Sequence, residues 1–306
     1  PEDPAAAEAA ALGNALKRGA VELDELVLLA RRLLRSGPEH LAAWRAGCAH
    51  LLVDEFQDID PGQYAFCRLL LGDSPNLTVV GDDDQAIYGF RGADPGCILR
   101  FLDDFPDGTL VKLEANYRSD QRILDLANRI FLDKDPRFRK TLRSPRAPEG
   151  KEPRVVRIDS RNGWEQMRCV ARLARTANGT GVPWDRIAVL ARSNRLCDTV
   201  RKGLARFGVP AETVVQTIHA SKGLEYEVVF LVGLEEGLFP IADADRKEEQ
   251  RLFYVAVTRA RERLFLMHAS ERVWRGKKKP FKPSEFLRWH REGALDRFWR
   301  LLGLAG

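Results

Sequence analysis

"HLLVDEFQDID" occupies residues 50–60: a short apolar run leads straight into Asp54 and Glu55, then Phe56, Gln57 and Asp58. Two adjacent carboxylates at the end of a hydrophobic element are costly to hold unless a cation or a substrate compensates them. The stretch therefore reads as a buried strand that ends in a site. The blander local reading, a solvated turn or a helix N-cap, stays open for the dipeptide taken alone.

Outward from this point the chain alternates. Before it, "VELDELVLLARRLL" (21–34) repeats apolar residues at three and four positions, and "SGP" (36–38) breaks the pattern ahead of another helical stretch. After it, "LTVVGD" (77–82) and "GTLVKLE" (108–114) read as further strands, separated by the helix-like "GQYAFCRLLLG" (62–72) and "PGCILRFLDDF" (95–105). The alternation predicts an α/β fold: an open, mostly parallel sheet covered by helices. It resumes with "RVVRI" (154–158), "RIAVLAR" (186–192), "EVVFLVGL" (227–234) and "RLFLMHA" (263–269), which predicts a second α/β lobe. The expected organisation is a first lobe over 1–115, a second over 116–290 and a helical tail over 291–306.

Ligands of such sheets gather where loops leave the carboxyl ends of strands. "DEFQD" ends one strand, "GDDDQAIYGFRGA" (81–93) the next, and "NYRS" (116–119) follows the third, which points to one shared crevice.

The 306 residues are enough for more than one domain, and 44% hydrophobic with 30% charged residues excludes general disorder. The net charge of +5 is unevenly placed: from Glu271 onward ten Lys or Arg face four Asp or Glu. "RVWRGKKKPFK" (272–282) is thus a candidate phosphate-binding patch, with a solvated loop and tail as the plainer reading. Cys48, Cys67, Cys97, Cys169 and Cys197 are scattered without metal-ligand spacing, the pattern of reduced thiols in a cytoplasmic protein. The longest apolar stretch, "VVFLVGL" (228–234), is too short for a membrane span, and the acidic, Ala-rich start does not resemble a signal peptide. The chain starts at Pro1 without an initiator Met, so it is expected to be a piece of something longer.

Asp54 is suited to hold Mg2+, a hard cation that takes oxygen ligands, and Glu55 to orient and deprotonate a water; the pair suits phosphoryl transfer. Gln85 could sense a terminal phosphate. Tyr88 and Phe90 beside Arg91 suit single-stranded nucleic acid, bases stacking on rings while the guanidinium neutralises backbone, although core packing is the usual fate of aromatics. "LEANYRSDQRIL" (113–124) offers Tyr117 and Arg118 before a helix capped by Ser119 or Asp120. "TIHASKGLEYEVVF" (217–230) sets His219, Ser221, Lys222 and Gly223 ahead of a strand, and "EEQRLFYVAVTRARERL" (248–264) carries Arg251 and Arg259 on one helical segment. Each Arg could clamp phosphate, while for each in isolation a surface or salt-bridge residue is the favoured reading.

Taken in order, "LLVDEFQD", "VVGDDDQAIYGFRGA", "LEANYRS", "TIHASKGLEYEVVFLVGLEEGLFP" and "RLFYVAVTRARERL" resemble the UvrD/Rep/PcrA-like family of superfamily 1 DNA helicases. The resemblance implies two RecA-like lobes, the first truncated at its N-terminus, with ATP and Mg2+ bound between them and 3′ to 5′ movement on single-stranded DNA. It implies that Asp54 is the magnesium carboxylate, Glu55 the catalytic base, and Gln85 the coupler of the γ-phosphate to DNA. By the same resemblance Tyr117 stacks on adenine, Glu225 contacts the ribose, and Arg118 and Arg259 are arginine fingers. Tyr88, Phe90, Arg91, His219 and Lys222 would grip DNA. The implied partners are single-stranded and 3′-tailed duplex DNA and repair or replication proteins, with no membrane.

The chain departs from the family pattern in two places. It has no GxxxxGKT-type phosphate loop; Gly150-Lys151, Gly276-Lys277 and Ser221-Lys222-Gly223 are only short echoes, so this chain alone is expected to lack ATPase activity. "GLARFGVPAETVVQTIHASKG" (203–223) also leaves no room for the accessory domain that relatives commonly insert. Two explanations compete: a compact helicase whose phosphate loop lies upstream of Pro1, favoured by the retained Asp54, Glu55, Gln85, Arg118 and Arg259, or a degenerate relative that binds DNA or a partner without hydrolysis. A metal-dependent nuclease using Asp54, Glu55 and Asp82 to Asp84 ranks below both, because it leaves Gln85, "NYRS" and "TRA" without a purpose.

Overall fold

The structure is a computed structural model that describes residues 4–74, 76–146, 154–274 and 276–289. The expected tail over 291–306 and the Gly150-Lys151 echo lie outside the described residues. The chain divides into two compact units between Leu110 and Val111, where the sequence reading put a boundary near residue 115.

Unit 1 opens with three helices, α1 (Pro4–Arg18), α2 (Leu23–Ser36) and α3 (Pro38–Gly47). Pro38 starts α3, where its missing N–H costs nothing and its fixed φ suits the first turn. The strands β1 (Leu51–Val53) and β2 (Leu77–Val79) pair in parallel, Leu51 beside Leu77 and Val53 beside Val79. Between them runs α4 (Pro61–Leu71), locked at its start by a reciprocal box: Gln63 N donates to Asp60 Oδ1 at 2.8 Å and Asp60 N to Gln63 Oε1 at 3.0 Å. Two short helices, α5 (Gly96–Leu99) and α6 (Phe101–Asp104), close the unit. One small core cluster lies beside these strands: Phe56, Ile59 and Cys97 are buried, with Val53, Tyr64, Val79, Ile98 and Phe101 packed around them.

The strand expected over 108–114 does not form. Leu110, Val111 and Leu113 are exposed, and the segment straddles the division between the units. Its later polar groups bind residues 136–143: Lys112 Nζ donates to Pro136 O and Arg139 O at 3.0 Å each, and Arg143 N donates to Glu114 O at 2.8 Å.

Unit 2 is built on a five-stranded, wholly parallel sheet, which agrees with the α/β fold expected. The strands are β3 (Val155–Ser160), β4 (Ile187–Ala191), β5 (Val214–Thr217), β6 (Tyr226–Val232) and β7 (Ala260–Ala269), in spatial order β3-β7-β6-β4-β5. Four correspond to apolar runs in the sequence; β5, in "VVQT", was not anticipated. Strand residues alternate between faces, and Val228, Phe230, Val232, Phe265 and Met267 share one core with α8 (Gly163–Gly179) and α9 (Asn194–Arg206). Phe230 and Phe265, direct neighbours in register, stack at 4.8 Å between centroids. The intervening Val229, Leu231, Leu264 and Leu266 are equally buried, and α7 (Gln121–Ile130) and α10 (Arg246–Thr258) pack on β7 and on each other. A hairpin of β8 (Glu271–Trp274) and β9 (Lys277–Pro280) follows. Among the described residues no helix is long and apolar enough to cross a membrane, and all five cysteines are free thiols.

Candidate functional site

In unit 1 the carboxyl ends of β1 and β2 lie side by side, because Val80 N donates to Val53 O at 2.8 Å and Phe56 N to Val80 O at 2.9 Å. This brings Asp54, Glu55 and Gln57 next to Gly81, Asp82 and Gln85. Asp54 and Glu55 are exposed, and Asp54 Oδ1 accepts from Glu55 N at 2.8 Å. Glu55 stands at φ 50°, ψ 41°, the only non-glycine residue with positive φ among those described. A left-handed conformation at such a residue costs on the order of 1–3 kcal/mol and persists only where its surroundings enforce it.

Three residues past Gln85, the loop turns its aromatic pair outward. Phe90 is 64% exposed and Tyr88 half-buried, their rings meet edge to face at 6.1 Å, and the Arg91 guanidinium lies over both at 5.2 and 5.6 Å. Core packing is thus not the fate of Phe90. Burial and the carboxylates of Asp58 and Glu55 raise the Tyr88 hydroxyl above its ordinary pKa, against a smaller opposing effect of Arg91. Asp82, Asp83 and Asp84 set one ligand atom each within 4.8 Å of one another. Asp82 already accepts from Asp84 N on Oδ1 and from Gln85 Nε2 on Oδ2.

Unit 2 collects its candidates at the amino ends of β6 and β7. Asn116 Oδ1 accepts from Arg118 N and Ser119 N, which folds "NYRS" into a tight turn. Ser119 Oγ donates to Ala260 O at 2.6 Å and Asp120 N to Arg261 O at 2.8 Å, fastening the turn to the start of β7. Asp120, and not Ser119, caps α7, accepting from Arg122 N. So held, Arg118 Nε meets Glu225 Oε2 at 2.6 Å while Arg261 Nη1 meets Glu225 Oε1 at 3.0 Å. Burial alone would raise the Glu225 pKa, but the bond from Arg118 and the charges of Arg118, Arg261 and Arg186 outweigh it and lower it. Tyr117 is 74% exposed and so offers an open stacking face.

Arg259 stands at the end of the helix that carries Arg251: α10 ends at Thr258, and Arg259 is its C-cap, still in a helical conformation. The side chain is 1% exposed, with Nε on Val255 O, Nη1 on Leu224 O and Nη2 on Thr258 Oγ1. His219 opens a single 3-10 turn with Ser221 after β5, and Lys222 follows it; both are half-buried. The C-terminal basic patch divides. Lys277, Lys278 and Lys279 are exposed on β9, whereas Arg272 turns inward to Glu235 at 2.6 Å and Gln166 at 2.7 Å.

Two residues of these clusters escaped the sequence reading. Gln57 is fully buried and bonded to both acidic loops, and among Asp54, Glu55 and Asp58 nothing in its local sequence marks it as buried. Arg261 shares Glu225, and only the pairing of its position with Glu225 across two strands could have marked it.

The sequence profile of the UvrD/REP helicase N-terminal domain matches residues 6–106, and that of the UvrD-like helicase C-terminal domain matches residues 111–216 and 214–271. A probable DNA helicase of Mycoplasma pneumoniae is 34% identical over 277 residues, 87% of this chain and 52% of the relative. DNA helicase II of Escherichia coli is 38% identical over 63% of this chain and 26% of its own length, and ATP-dependent DNA helicase Rep of the same organism is 43% identical over 40% and 18%. The chain thus spans about half the length of the first relative and about a quarter of the second. Matches to both halves of the family, in the order in which the chain folds into two units, lead to one conclusion: the chain belongs to the UvrD-like helicase family.

Proposed function

We propose that the chain is the motor portion of an ATP-dependent translocase or helicase that moves 3′ to 5′ on single-stranded DNA. The observation that carries this reading lies in unit 1. A base candidate in an enforced conformation, Glu55, and an exposed pair of rings with a guanidinium, Tyr88, Phe90 and Arg91, share one pair of adjacent loops, so hydrolysis and DNA contact have a common frame. Relatives such as Rep of Escherichia coli are named ATP-dependent DNA helicases, which supports ATP as the fuel.

The residues fit the implied cofactors by donor chemistry. Asp54 offers a hard carboxylate oxygen of the kind Mg2+ takes, and Tyr117 offers an open ring to a purine. Bound ATP and Mg2+ would supply the phosphoryl electrophile and the neutralisation of its charge. Glu55 would orient the attacking water and take its proton. Gln85, on the same loop as the ring pair, would link the terminal phosphate to DNA. Arg118 and Glu225 would hold phosphate and ribose, Arg259 would act on the charge that develops, and His219 and Lys222 would contact DNA from unit 2.

For want of a phosphate loop, this chain by itself is proposed to hydrolyse no ATP. The test measures DNA-stimulated ATPase and unwinding of 3′- and 5′-tailed duplexes by the intact protein, its Glu55→Gln variant and this chain. The expected outcome is turnover and 3′-tail unwinding by the intact protein, a loss of about 10²- to 10⁴-fold in Glu55→Gln, and none in this chain. An intact protein that binds DNA without hydrolysing ATP would make it the non-hydrolysing relative instead.

A further inference from the structure

We propose that Gln57 is a positioning residue that couples the Asp82–Gln85 loop to Glu55. The proposal rests on the reading of Glu55 as a base and assigns a task that no motif role covers. Three hydrogen bonds form a continuous path within unit 1. Gln85 Nε2 donates to Asp82 Oδ2 at 2.7 Å, Asp82 N donates to Gln57 Oε1 at 2.8 Å, and Gln57 Nε2 donates to Glu55 Oε2 at 2.5 Å. A branch from Gln57 Nε2 reaches Asp58 Oδ2 at 3.3 Å.

The partners fix which way the amide faces. A backbone N–H needs an acceptor and a carboxylate needs a donor, so only one orientation of the Gln57 amide serves Asp82 N and Glu55 together. A fully buried amide with both ends engaged has little freedom, since releasing either end in the interior loses a hydrogen bond that no water replaces. The backbone makes room for it. A Cβ on Gly81 would stand 2.6 Å from Gln57 Oε1 and 3.2 Å from Gln57 N, so the glycine lets the second loop come down onto the amide.

The path accounts for the conformation of Glu55. Its left-handed backbone is held from one side by Asp54 Oδ1 on its N–H, and its carboxylate is held from the other by Gln57. A displacement of Gln85, three residues from the ring pair proposed to touch DNA, would move Asp82 and through Gln57 re-aim the Glu55 carboxylate. The coupling is therefore a property of a buried side chain that touches neither nucleotide nor DNA.

Two measurements test it. In this chain labelled with [15N]glutamine, the side-chain amide signal of Gln57, identified by its loss in Gln57→Glu, should shift in Glu55→Ala and also in Gln85→Ala, and stay unmoved in Gln121→Ala. A Gln57 amide blind to Gln85→Ala or to Glu55→Ala overturns the proposal. In the intact protein, Gln57→Glu keeps the shape and removes the donor. It should lower the kcat of DNA-stimulated hydrolysis about tenfold or more while KM for ATP changes less than about threefold. An unchanged kcat, or a loss confined to KM, overturns it. If Gln57→Glu does not fold, Gln57→Leu identifies the signal and the amide shifts decide. If wild-type protein hydrolyses no ATP, the functional reading falls and the shifts alone judge the coupling.

Discussion

Two parallel strand systems in one chain are built from nearly the same letters and end in different states. β1 is Leu-Leu-Val, yet Leu52 is 73% exposed, whereas β4, Ile-Ala-Val-Leu-Ala, is buried at all five positions. The difference is cover. β4 lies between β5 and β6 with α9 on one face, while β1 has β2 as its one strand partner among the described residues. An apolar run encodes the capacity to be buried on both faces; neighbours decide whether it is. Among the described residues, the core cluster beside β1 and β2 in unit 1 is accordingly small, centred on Phe56, Ile59 and Cys97, while unit 2 gathers a broad core from β3, β4, β6 and β7 with α8 and α9.

If that contrast governs stability, limited proteolysis should cut within residues 4–110 first and leave a fragment from about residue 111 onward. The strongest way to break the contrast is Phe230→Ala, which removes one ring of the stacked pair in the sheet of unit 2 and should cost about 3–5 kcal/mol. Unit 2 should then lose its advantage, with both units cut at similar protease concentrations. Fragments identified by mass decide; a wild-type chain that loses unit 2 first would remove the contrast altogether.

A smaller effect sharpens it. Asp120 is buried, caps α7 and meets Arg122 at 2.8 Å and Arg154 at 3.5 Å. Burial alone would raise its pKa, but the bonds from Arg122 and the charges of Arg122 and Arg154 outweigh burial and lower it. A folded pKa below the unfolded value means stability that is present above the unfolded pKa, near 3.9 for Asp, and lost as pH falls through the folded value. Asp120→Ala should therefore destabilise unit 2 by about 1–2 kcal/mol at pH 7. The gap from wild type in denaturant melts should narrow below about pH 4. A gap that stays constant with pH would assign the loss to packing. The smallest effect is expected at Leu52→Thr, within about 0.5 kcal/mol, since little burial is given up there. A larger loss would mean that β1 is covered in solution.

The site was legible in parts, for physical reasons. Asp54, Glu55 and Gln85 could be named as candidates because they follow apolar runs where strands give way to loops, although Asp54 and Glu55 are exposed and so do not bear the cost of burial expected of them. Gln57 could not: its meaning depends on Asp82, 25 positions away, meeting it across two strands. Arg118 beside Glu225, and Arg261 sharing the same carboxylate, likewise depend on the turn being fastened to β7 by Ser119 and Asp120. "GTLVKLE" misled because alternation alone matches a strand, while the pairing that makes one was absent and its polar groups found residues 136–143 instead. "VVQT" was too short to announce itself as β5.

By itself the sequence determined the parallel α/β class, the succession of apolar strands and polar loops, and the family to which the motifs belong, since these rest on local pattern and order along the chain. Only the tertiary structure decided which runs are covered, that Arg272 turns inward to Glu235 while Lys277 to Lys279 stay outside, that Arg259 is buried beyond the end of α10, and that an amide bridges two acidic loops. Burial and hydrogen-bond partnership are relations between distant segments, and no single segment carries them.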